Sequence, residues 1–154
     1  MKQPRLILVF ISIALAAAPG CGRGSPPATG VGTTEVPPDR LQRAVEKLRL
    51  KLPSHAKATG VIDDNPDVLI QLKLEMPASE VNAFLAGSPF ARKTLSTELR
   101  HVSNTGQPDW WAPQDAQSFR SAMLEVVPKA EGASILINLD DPATAVVYLI
   151  WFKM

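Results

Sequence analysis

Cysteine is almost absent from this chain of 154 residues: Cys21 is the only one. A single thiol closes no internal disulfide, so a disulfide-stapled secreted scaffold is excluded. Histidine is nearly as scarce, with His55 and His101 alone. An acyl-transfer triad would need Ser54, Ser88 or Ser103 beside one of them, and no G-x-S-x-G elbow or H-E-x-x-H helix is present. The sequence therefore reads as non-enzymatic, with no cofactor or metal expected. A charge excess is lacking too: 16 basic residues face 15 acidic ones, a formal net charge of +1. That balance provides no global field for a nucleic-acid partner. The chain also lacks a long apolar run, since Leu6 to Ala18 falls short of the roughly 20 residues a spanning helix requires.

What is there begins with that run. Lys2 and Arg5 precede it, Pro19 and Gly20 follow, and Cys21 comes next. This layout of basic, apolar and small residues is that of an export signal. With the cysteine at the cleavage point, it resembles the lipobox of diacylated bacterial lipoproteins, although Ala18 stands where such boxes carry leucine. The resemblance implies thioether lipidation of Cys21, cleavage before it and acylation of the new amino terminus. Gly22 is not the aspartate of inner-membrane retention, so the resemblance implies an outer-membrane address facing the periplasm in a diderm host. An ordinary secretory signal cut after Ala18 is the competing reading. Removing residues 1–20 takes away Lys2 and Arg5 and leaves 14 basic against 15 acidic residues.

Residues 21–38 follow as the lipidated cysteine and a tether rich in Gly, Pro, Ser and Thr, without apolar periodicity, which is expected to be disordered. At about 3.1 Å per residue when extended, it reaches roughly 50 Å from a bilayer. Residues 39–154 fit one globular domain.

In that domain, Asp39 to Leu52 has helical spacing, with Leu41, Val45, Leu48 and Leu52 on one stripe and Arg40, Arg43, Lys47 and Lys51 on another. The basic stripe suits either an anionic lipid surface or a solvated face of a helix packed on a sheet. Strands are expected over His55 to Ile62 and Asp67 to Met76, joined by Asp-Asp-Asn-Pro. In the second, Val68, Ile70, Leu72, Leu74 and Met76 share an apolar face, while Gln71, Lys73 and Glu75 share a wet one. Ser79 is a candidate cap for a short helix carrying Val81, Phe84 and Leu85 that stops at Gly87. Thr94 to Gln117 reads as a long ordered loop. Phe119 to Val127, Ala133 to Leu139 and Thr144 to Lys153 read as three strands with short turns, hence antiparallel. The last is apolar on both faces, as an interior strand covered on both sides is. The expected fold is α+β: an antiparallel sheet of about five strands with two helices.

Two motifs stand out. Trp110-Trp111-Ala112-Pro113 places two indoles in the loop, suited either to a protein or glycan contact or to plugging the open face of the sheet. Asp63, Asn65 and Asp67 have the spacing that opens a calcium loop, but Val68 and Leu74 stand where its glycine and bidentate glutamate belong, so a hairpin turn is the simpler account. The body is also similar to small uncharacterised envelope lipoproteins, through Leu52-Pro53-Ser54, the Trp-Trp-x-Pro loop and the terminal Val-Tyr-Leu-Ile strand, a likeness that implies no active residues. The expected function is a lipid-anchored, non-catalytic binding or interaction module of the bacterial envelope. Its partners would be the membrane, through lipid on Cys21, and an envelope protein or glycan, through Trp110 and Trp111. A carrier or sensor of an apolar small molecule, or a small hydrolase using His55 or His101, are the alternatives.

Overall fold

Alternating and doubly apolar segments dominate the second half of the chain, and in the computed structural model they assemble into one sheet. The structure describes residues 36–102, 108–127 and 130–154; the leader, Cys21 and nearly all of the tether lie outside them. Helix α1 spans Pro38–Lys47, followed by β1 (Lys57–Asn65), β2 (Leu69–Pro77), α2 (Val81–Ala86), β3 (Phe119–Val127), β4 (Glu131–Asn138) and β5 (Thr144–Lys153). The sheet order is β1-β2-β5-β4-β3, every neighbour antiparallel. This is the expected α+β arrangement of five antiparallel strands and two helices, with β5 at its centre.

Period-two alternation divides the sheet into two faces. On the first, Ile70, Leu72, Leu74, Ile135, Ile137, Val147 and Leu149 are fully buried, in one cluster with Ala44 of α1, Leu48 at its C-terminal cap and Phe84 of α2. On the second, Phe119, Leu136 and Tyr148 form a smaller cluster with Val102, Trp111 and Ala116. Both faces of β5 are thus covered, as its composition requires: helices lie over one and loop residues over the other.

Several boundaries differ from expectation for identifiable reasons. Helix α1 ends five residues before Leu52 because its last turn closes early: Arg49 N–H donates to the Glu46 carbonyl at 3.1 Å and Leu50 N–H to that of Val45 at 3.0 Å. Those two bonds are a Schellman closure, with Arg49 at φ 52° in the left-handed position that glycine usually fills. Ser79 does not cap α2. It sits in a 3-10 turn, Ala78–Glu80, and α2 starts from Glu80 without a side-chain cap. Strand β1 begins later than His55 and continues through Asp63 to Asn65. The wet face expected of β2 is only partly wet, because Gln71 is 3% exposed. Its cross-strand neighbours Ile62 and Ile150 are half-buried, so the amide is enclosed by apolar flanks.

Candidate functional site

The aromatic loop lies over the second face of the sheet. Gly60 in β1, opposite Lys73 in β2, leaves room for Trp110: a Cβ there would stand 2.5 Å from the indole ring. Trp111 lies deeper, 1% exposed, with its ring edge-on to Tyr148 at 5.3 Å between centroids and to Trp110 at 5.8 Å. Burial pushes the Tyr148 phenol above its ordinary value, and the charge of Asp115 acts in the same direction. Of the two tryptophans, Trp111 is thus sealed in the packing, while Trp110 is half-buried at its rim.

The loop is fastened at several points. Ser96 exchanges both backbone hydrogen bonds with Ser121 at 2.7 and 2.8 Å. The Ser121 hydroxyl donates to the Ile135 carbonyl and accepts from His101 N–H. Arg100 donates to the carbonyls of Pro113 (2.9 Å) and Ala116 (2.5 Å), and its guanidinium lies 4.0 Å from the centroid of the Phe119 ring. Asp140 closes the far end by accepting from Ser118 N–H at 2.6 Å and Gln117 N–H at 3.0 Å. Those backbone donors, Ser118 first, hold its carboxyl below the ordinary aspartate range. Arg100, Ser121 and Asp140 were not legible as fasteners: each makes its bonds to backbone groups distant in sequence, and no spacing rule connects them.

The two charge patterns of the sequence meet each other. Asp63 points to the helix side of β1, where its side chain is 1% exposed between Arg40 (3.3 Å) and Arg43 (2.7 Å). Arg40 also reaches Asp64 at 3.9 Å, and Lys47 reaches Asp67 at 3.6 Å. Arg40, Arg43 and Lys47 therefore neutralise the acids at the β1–β2 turn, and Asp63 receives two guanidiniums. Among the described residues, no group of three or more His, Cys, Asp or Glu side chains is placed to hold a metal ion. Lys47 also lies 4.6 Å from the Trp151 ring centroid, holding α1 against β5.

His55 is exposed at the start of the sheet. Its Nδ1 meets Glu80 Oε1 and lies 3.2 Å from Ser54 Oγ. Serine and carboxylate thus share one ring nitrogen, whereas a relay through imidazole needs them on opposite nitrogens. Ser88 is committed elsewhere, donating to the Leu85 carbonyl and accepting from Phe90 N–H. The backbone N–H of His101 is bonded to Ser121; Ser103 lies outside the described residues.

Among the described residues, no helix is long and apolar enough to cross a membrane. No protein-family model, no curated protein and no solved structure matches this chain.

Proposed function

We propose that the protein is a lipid-anchored lipoprotein of the bacterial envelope whose domain serves as a non-catalytic binding or interaction module. The observation that carries the reading is the leader ending in Cys21, the only cysteine of the chain. The domain that follows supports it in one respect: among the described residues, Asp63, Ser88, Arg100, Ser121 and Asp140 are engaged in backbone or ion-pair contacts, which leaves surface features as the ones best suited to recognition. The half-buried rim of Trp110 is the part of the aromatic loop that presents itself to a protein or glycan partner, with Trp111 as its support. A cleft for an apolar molecule at Tyr148 is less well supported, because Trp111 already occupies that position.

The test of the anchor is the intact mass of protein purified from its own membrane fraction. Residues 21–154 plus acyl and diacylglyceryl groups is the expected result, and Cys21→Ala should abolish palmitate labelling. An unmodified chain, or unchanged labelling of the variant, overturns the assignment. For the interaction, Trp110→Ala should weaken capture of envelope components while the domain remains folded at the temperature of the capture assay.

A further inference from the structure

Cations in this domain differ in whether an acid accompanies them. Arg40, Arg43 and Lys47 are paired with the acids of the β1–β2 turn. Two other stretches contain no acidic residue at all: Leu48 to Ile62, and Val81 to Thr97. The fold pins these stretches together, since Lys51 N–H donates to the Gly87 carbonyl at 3.0 Å and a Cβ on Gly87 would stand 3.0 Å from that of Lys51. Arg49, Lys51 and Lys57 from the first stretch and Arg92 and Lys93 from the second are all exposed. Among the described residues, none of the five belongs to a salt bridge. Arg49 is also the only non-glycine described residue with a positive φ, so the chain holds a cation where glycine would be less strained.

We propose that this electropositive end of the domain docks on anionic phospholipid headgroups of the bilayer to which Cys21 tethers the chain. The proposal rests on the anchor reading above and deepens it by giving the tethered domain a membrane-facing side. Charge complementarity selects the occupant: five exposed cations in no salt bridge, on a chain of nearly balanced charge, match a surface of like negative charges. Such contacts are individually weak and screened by salt. A covalent anchor makes them effective, because it holds the domain within roughly 50 Å of the headgroups and turns docking into an intramolecular event. Arg40, Arg43 and Lys47 of α1 are not part of this surface, having been neutralised by Asp63, Asp64 and Asp67.

The experiment uses the lipidated protein, purified from membranes and reconstituted in vesicles of phosphatidylcholine alone or with one third phosphatidylglycerol. Surface lysines are acylated with a membrane-impermeant amine reagent, and each site is read by peptide mass spectrometry. Labelling of Lys51 and Lys93 should fall about fivefold in the anionic vesicles, and about 0.5 M salt should restore it, while Lys73 and Lys153 stay unchanged. Equal labelling of Lys51 and Lys93 in both vesicles overturns the proposal and leaves those cations to an acidic protein or to solvent. Protein without lipid mass that does not float with neutral vesicles would overturn the anchor instead. In that case the same labelling, with the protein added to preformed anionic vesicles, still decides whether the patch binds them.

Discussion

Replacing Trp111 with alanine should cost far more stability than its position in a loop suggests. The side chain is 1% exposed and packs edge-on against Tyr148 and Trp110, within a cluster that includes Phe119 and Leu136. Truncating a buried Trp costs about 3–5 kcal/mol, from lost apolar transfer plus the cavity left behind. The nearby loop offers little collapse to offset it, because the hydrogen bonds of Arg100, Ser121 and Asp140 fix its position. For a domain of this size about 1 kcal/mol corresponds to about 4 °C, so the melting temperature should fall by about 10–20 °C. Calorimetry or far-UV circular dichroism of purified Trp111→Ala against wild type reads this directly. Trp110→Ala, half-exposed to begin with, should cost about 1–2 kcal/mol. A Trp111→Ala melt within about 3 °C of wild type would refute the argument, showing that the loop contributes little to the second core.

Arg49→Gly should raise stability by up to about 1 kcal/mol by relieving the left-handed backbone at φ 52°, whereas Arg49→Ala should not; paired urea titrations separate them. Gly132→Ala would place a Cβ 2.4 Å from the Phe152 ring, so it should destabilise by about 1–3 kcal/mol in the same assay. Asp140, with its carboxyl held below the ordinary range in the folded protein, stabilises the fold above the unfolded aspartate pKa of about 3.9, and that contribution disappears as pH falls through the lower folded value. Wild type should therefore lose stability more steeply than Asp140→Asn on acidification below about pH 4, as melts across that range would show.

The sheet was legible because its signals are local. Alternation in Leu69–Pro77 and the apolar run in Thr144–Lys153 each state a period and a burial within one segment, and both survive into the structure. Gln71 was misread because polarity alone marks it as wet, whereas its burial comes from Ile62 and Ile150 on neighbouring strands. The end of α1 was misread because the apolar spacing continues to Leu52 through a turn closed by backbone bonds, with an arginine where glycine would have signalled the stop. The aromatic loop was visible as unusual, and both of its uses were written in the same residues. Only the gap over Gly60 and the edge of Tyr148 show how the two rings are divided between packing and rim. The basic stripe and the acidic turn were each noticed singly, and their pairing depends on where α1 lies across β1.

Strand β5 is the last of the five strands in chain order and the one that joins the other two pairs, since β1-β2 and β3-β4 touch only through it. During synthesis, the two hairpins can form early but have nothing to connect them. Each would expose the faces that β5 later closes, and neither could assemble the complete sheet beforehand. The topology thus delays tertiary closure until the segment around Thr144–Lys153 has emerged and can join the two hairpins.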